Sequence, residues 1–122
     1  MSRRDEESLL RWEAQMKKGC LELAVLAALW DQARYGLEIL SFLEGEDLEV
    51  SEGTLYPLLN RLHRDGLVIT DWVEGDLGHP RRYYELTSVG RDLARSMSSR
   101  WCAFTATLRS LLTPLTKEKT DV

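Results

Sequence analysis

The stretch Ser51 to Gly66, SEGTLYPLLNRLHRDG, constrains the fold more than any other part of this chain. Leu55, Leu58, Leu59 and Leu62 recur at i, i+3, i+4 and i+7, the spacing of one helical face, and that apolar stripe must be buried. Thr54, Pro57, Arg61 and Arg64 follow a second stripe that points away from the first, with Tyr56, Asn60 and His63 between them. Ser51 is a good N-cap, and Gly66 can end the helix in the left-handed conformation. Pro57 lies beyond the first turn, where it removes a backbone hydrogen bond and crowds the carbonyl of Gly53, so an irregular or tightened start is expected. A helix that hides leucines and presents Thr, Tyr, Asn and Arg suits a DNA major groove. Arg and Asn can bond base edges in pairs, and hydroxyls can reach phosphates. An ordinary amphipathic surface helix would share the leucine stripe, so the neighbouring segments have to decide.

Downstream, Leu67 to Val73 is rich in β-branched and aromatic residues and reads as a strand. Glu74 to Pro80 is a loop with two glycines and a proline, and Arg81 to Leu86 reads as a second strand. Gly78, His79, Pro80, Arg81 and Arg82 are expected at the hairpin tip. Arginines there would suit a phosphate backbone or a minor groove, or would merely discourage edge-to-edge pairing. Tyr83 and Tyr84 alternate faces of the strand, one toward the core. Upstream, Gly19 to Trp30 is nearly continuous apolar helix former with Glu22 as its only charge. Tyr35-Gly36 breaks that pattern, Leu37 to Phe42-Leu43 resumes it as a short helix, and Glu44 to Val50 connects to Ser51. Helices followed by a hairpin, in this order, describe a winged helix-turn-helix.

These residues resemble the PadR family of bacterial transcriptional regulators. The resemblance rests on Leu21-Glu-Leu23, Tyr35-Gly36 with Glu38-Ile39, Val50-Ser-Glu-Gly-Thr-Leu-Tyr-Pro57, Arg61-Leu62, Asp65-Gly-Leu67, and Gly78-His-Pro-Arg-Arg-Tyr-Tyr84 with Leu86-Thr87 and Gly90. It spans roughly residues 19 to 91. It implies a dimeric winged-helix repressor, of the kind that often governs stress, detoxification or efflux genes and can answer to aromatic or drug-like compounds. The chain departs from the family pattern at Leu37, where an aromatic is common, and at His79 before Pro80, which makes the wing less basic.

Composition sets limits. The chain has 122 residues, enough for one domain, with 43% hydrophobic and 30% charged residues. The formal net charge of −4 is unusual for a DNA binder, so binding would depend on where the arginines lie and would fall with salt. The apolar run ending at Trp30 is too short to span a bilayer, the Arg- and Glu-rich start has no secretory pattern, and a cytoplasmic location is expected. Cys20 and Cys102 have no metal-ligand spacing and are expected to be buried small hydrophobes, a redox switch being the alternative. His63 and His79 have no nucleophile or paired carboxylate at a motif spacing. No enzyme activity, metal or cofactor is expected.

Thr87 is the expected cap of a long last helix running to about Thr113, before Pro114. Val89, Leu93, Met97, Trp101, Phe104, Leu108 and Leu111 form a near-heptad stripe on it, longer than a small core can cover. Asp5 to Lys18 repeats the pattern with Leu9, Trp12 and Met16. These two stripes are the expected homodimer interface, with two-fold symmetry. The place of Trp101 resembles that of a tryptophan lining a pore at the dimer interface of multidrug-binding family members, and Trp101, Met97 and Trp12 are the expected ligand-binding residues.

The reading is therefore a mainly α protein with a small β-hairpin (α+β), a winged helix-turn-helix with a long C-terminal dimerisation helix. Its parts are an N-terminal helix (1–18), the winged domain (19–86), the C-terminal helix (87–113) and a flexible polar tail (114–122). Double-stranded DNA with an inverted-repeat operator is the expected partner, with no membrane contact. Candidate DNA contacts are Tyr35 and Ser51 to phosphates, Thr54, Tyr56, Asn60, Arg61 and Arg64 from the helix, and Gly78, His79, Arg81 and Arg82 from the wing. A winged-helix protein-interaction module without direct DNA readout is the other reading that an acidic chain would fit.

Overall fold

The computed structural model describes residues 1–117. It contains α1 (Arg3–Ala28), β1 (Arg34–Tyr35), α2 (Gly36–Gly45), α3 (Glu52–Arg64), β2 (Val68–Glu74), β3 (Pro80–Leu86) and α4 (Ser88–Lys117). No helix among the described residues is long and apolar enough to cross a membrane.

The two N-terminal segments that read as separate helices are one. The helix α1 runs through Gly19 without a break, roughly 39 Å at 1.5 Å per residue. Its start is fixed by Ser2, whose hydroxyl accepts from the amide of Asp5 while the Asp5 carboxylate accepts from the amide of Ser2. Only its C-terminal half is buried, through Leu21, Val25, Leu26 and Ala28. The last turn has no basic residue of its own. Its last carbonyl is met from elsewhere, Arg34 Nε donating to Ala28 O at 2.8 Å, and just beyond the helix Arg91 Nη1 donates to Trp30 O at 3.1 Å.

The core lies where α1, α2 and α3 meet the sheet. Leu26, Leu29, Ile39, Leu55, Leu59 and Leu62 are fully enclosed, with Val68, Tyr84 and Leu86 closing the side of the strands. The sheet has the order β1-β3-β2, all antiparallel. The strand β1 is a finding with no sequence forecast: two residues, Arg34 opposite Tyr84 and Tyr35 opposite Tyr83. In the hairpin, Val68 faces Leu86, Thr70 faces Tyr84 and Trp72 faces Arg82. Side chains alternate faces along a strand, so this register puts Tyr84 in the core at 2% exposure and Tyr83 on the other side.

The last helix is longer than its sequence suggested. It continues through Pro114 to Lys117 rather than stopping at Thr113. Of the tail expected to be flexible, residues 114–117 are therefore helical, and residues 118–122 lie outside the described residues. Thr87 anchors the start. Its hydroxyl donates to Gly66 O at 2.8 Å and accepts from Gly90 N at 3.0 Å, and its amide donates to Leu67 O. Cys102 was expected to be buried and is exposed, because it lies on the part of α4 beyond Met97, its last contact with the core, while Cys20 is half-buried.

Candidate nucleic-acid interface

The outward helix is α3. Ser51 caps it: the hydroxyl accepts from Thr54 N at 3.2 Å and donates to Thr54 Oγ1 at 3.0 Å. Ser51 O accepts from both Thr54 N and Leu55 N, a tightened first turn of the kind expected ahead of Pro57. The helix passes through Pro57 intact. Leu55, Leu59 and Leu62 are buried, and Gly53, Pro57, Asn60 and Arg64 lie opposite them, exposed. Gly53 and Pro57 have small or compact side chains, which lets the backbone approach a flat partner closely. Asn60 and Arg64 supply donors and an acceptor, and Thr54 a hydroxyl, on or beside that face.

Two residues of this helix are placed differently from the sequence reading. Tyr56 does not point outward. It is half-buried against the core, and its ring end covers Gly36. Burial is the first cause that lifts its hydroxyl pKa above the ordinary value, followed by the carboxylate of Glu52 and by Tyr84. Arg61 turns aside to α1, where its Nη2 donates to Glu22 Oε2 at 3.2 Å.

The wing also differs from expectation. Arg81 and Arg82 were expected at its tip, and both lie within β3, opposite Val73 and Trp72. They are half-buried because each stacks on a tyrosine: Arg81 Cζ lies 4.7 Å from the Tyr35 ring centre, and Arg82 Cζ 5.3 Å from that of Tyr84. Tyr35 and Tyr83 meet edge to face at 5.3 Å, so Tyr35, Arg81 and Tyr83 form one cluster on the outer face of the sheet. Tyr35 also precedes α2, and its amide donates to Glu38 Oε1 at 3.2 Å. The tip itself is Gly75 to His79, with Leu77 and Gly78 both at positive φ and Leu77 93% exposed. Gly78 and His79 are at the tip as expected. Leu77 stands exposed between them and Gly75, an apolar residue among turn formers.

The apolar stripe of α4 meets the core at Met97, which packs at its edge beside the buried Ala94. Beyond it, Trp101, Phe104, Leu108, Leu111, Leu112 and Leu115 are exposed, and so are Leu9, Trp12 and Met16 on the free half of α1. Val89 and Leu93 are exposed near the start of α4. Trp101 is 42% exposed with its ring centre 6.2 Å from that of Phe104. Of the expected ligand residues, Met97 belongs to the core edge, and Trp12 and Trp101 lie on free surface.

Known proteins share this arrangement. The model of the PadR-like family of transcriptional regulators matches residues 25–96. The transcriptional regulator Rv3488 of Mycobacterium tuberculosis is 34% identical over 77 residues, which cover 63% of this chain and 71% of that protein. A PadR family regulator of Eggerthella lenta superposes with a TM-score of 0.85 at 26% identity, covering 92% of this chain and 98% of that one. A PadR-like transcription factor from Bacteroides fragilis gives 0.70 at 37% identity, covering 83% and 98%. The match runs from the last turn of α1 through α3 and the wing into α4. With a regulator's helix presented outward and a hairpin beside it, this chain belongs to the PadR-like family of transcriptional regulators, DNA-binding proteins rather than enzymes.

Proposed function

We propose that this regulator works in the cytoplasm as a homodimer that represses its target by occupying an inverted-repeat operator, and that a small aromatic effector releases it. The outward face of α3 carries the first part of this reading. Thr54, Asn60 and Arg64 enter a major groove, Asn60 and Arg64 to base edges and Thr54 to a base or phosphate. Ser51 and Tyr35 meet phosphates near helix starts. The tip at Gly78 and His79 lies over the neighbouring backbone, and Arg81 and Arg82 stand behind it.

Dimerisation is supported by the free half of the α4 stripe. A run of exposed Trp, Phe and Leu over several turns is costly in water, at about 25 cal/mol per Å² of apolar surface. A second copy packed two-fold along it would cover both stripes and set the two α3 helices to read half-sites about one DNA turn apart. The effector would lie where Trp101 and Trp12 offer flat faces at that interface.

Selection of binding sites from a random duplex pool, at near-physiological salt, tests this reading. Enrichment of an inverted repeat by a dimeric protein is the expected result. A folded, dimeric protein that enriches nothing would favour a protein partner for the winged domain. Quenching of tryptophan fluorescence by a panel of planar aromatic compounds, with release of the enriched duplex, tests the effector.

A further inference from the structure

The contact between α3 and α1 through Arg61 and Glu22 is the one ion pair among the described residues that joins two helices; the others link residues three or four apart. Arg61 stands on the flank of α3 next to Thr54, beside the exposed face. Its side chain is 43% exposed and that of Glu22 30%. A half-exposed pair contributes little to stability. Glu22 is also the only charge between Gly19 and Ala28 of α1. Stability therefore does not account for a carboxylate here. What the pair does change is the charge that α3 presents, because it neutralises an arginine within reach of any phosphate at the groove edge.

We propose that Glu22 is a positioning residue that draws Arg61 away from the DNA backbone and so lowers affinity for DNA of any sequence. The inference rests on α3 being the helix that faces DNA. Its consequence is physical. Phosphate contacts carry no sequence information, and a regulator that masks one of them depends more on the base-facing Asn60 and Arg64. The net charge of −4 acts in the same direction.

The test compares wild type, Glu22→Gln, Arg61→Gln and the double variant on a random-sequence duplex and on a duplex enriched by selection, across a salt series. Freed from Glu22, Arg61 should gain one phosphate contact. Glu22→Gln should then bind the random duplex about five-fold tighter near 0.15 M salt, with a salt slope steeper by about 0.9. The gain should vanish in the double variant. Glu22→Asp, which keeps the charge but shortens the reach, should show part of the gain, and thermal melts establish that each variant folds. No gain, or a gain that persists without Arg61, overturns the proposal, the latter by showing a general charge effect. Weaker binding of the enriched duplex by Glu22→Gln overturns it too, since Glu22 would then be aiming Arg61 at DNA. Wild type that binds neither duplex would sink the DNA-facing reading of α3 together with this one.

Discussion

The ring of Tyr56 lies over Gly36, so α3 and the start of α2 meet with no room for a side chain between them. A β-carbon at Gly36 would lie 2.6 Å from Tyr56 Cζ and 2.7 Å from Cε1, and closer still to the hydroxyl. Gly36→Ala should therefore destabilise the fold by about 1–3 kcal/mol through overpacking. Chemical denaturation measures it. Tyr56→Ala in the Gly36→Ala background should remove the clash, so the two costs should not add.

Gly90 is tighter, and its neighbour cannot move aside. A β-carbon there would collide with the carbonyl oxygen of Leu67 and lie 3.0 Å from its carbon, both main chain. That carbonyl also accepts the amide of Thr87. Gly90→Ala should cost more than Gly36→Ala and should shift the denaturation midpoint further. An alanine tolerated at Gly90 would show that α4 can slide on the β2 entry.

Tyr56 also predicts a pH response. Its pKa is raised in the folded state, so the unfolded chain ionises first. The stabilisation is complete below the ordinary tyrosine value of 10.0 and is lost progressively as pH rises from there through the folded value. Thermal melts across the alkaline range should show a decline that is smaller in Tyr56→Phe. Equal declines in both proteins would place the alkaline sensitivity elsewhere.

On the exposed face of α3, Arg64→Ala should weaken binding to the enriched duplex by about 1–3 kcal/mol if the guanidinium reads a base. Arg61→Ala should cost less, because Arg61 is engaged with Glu22. Titrations of labelled duplex compare the two. The reverse order would mean that the ion pair opens when DNA binds.

On α4, replacing Phe104 and Leu108 together by Glu should leave the helical circular dichroism intact and shift sedimentation from dimer to monomer. Both side chains are exposed in one chain, so the monomer fold does not need them. A double variant that still sediments as a dimer would put the interface on another face.

Much of this molecule is legible from local pattern. The leucine spacing in Ser51 to Gly66 defines α3, the β-branched run and glycines define the hairpin, and the signature residues point to the family. Local pattern suffices there because a helical stripe or a strand alternation repeats every few residues and any partner surface will satisfy it. The break expected between Lys18 and Gly19 did not occur, since glycine costs only about 1 kcal/mol in a helix and the packed turns on its C-terminal side outweigh that. Pro114 likewise sits inside α4 against expectation.

The candidate site was less legible. Thr54, Asn60, Arg64, Gly78 and His79 lie on exposed surface where periodicity and turn chemistry put them. Arg61, Tyr56, Arg81 and Arg82 were also assigned from residue type, and each is held by a partner: Glu22, Gly36 and Tyr35, all distant in sequence, and for Arg82 the inward-facing ring of Tyr84. The sequence by itself determined α3, the hairpin and the apolar stripes of the helices, because those follow from spacing along the chain. Only the tertiary structure decided which tyrosine of Tyr83 and Tyr84 enters the core and which arginines are held against a neighbour. Those outcomes depend on strand register and on distances between elements, and a one-residue shift in register would reverse the first without altering the hydrophobic pattern of any helix.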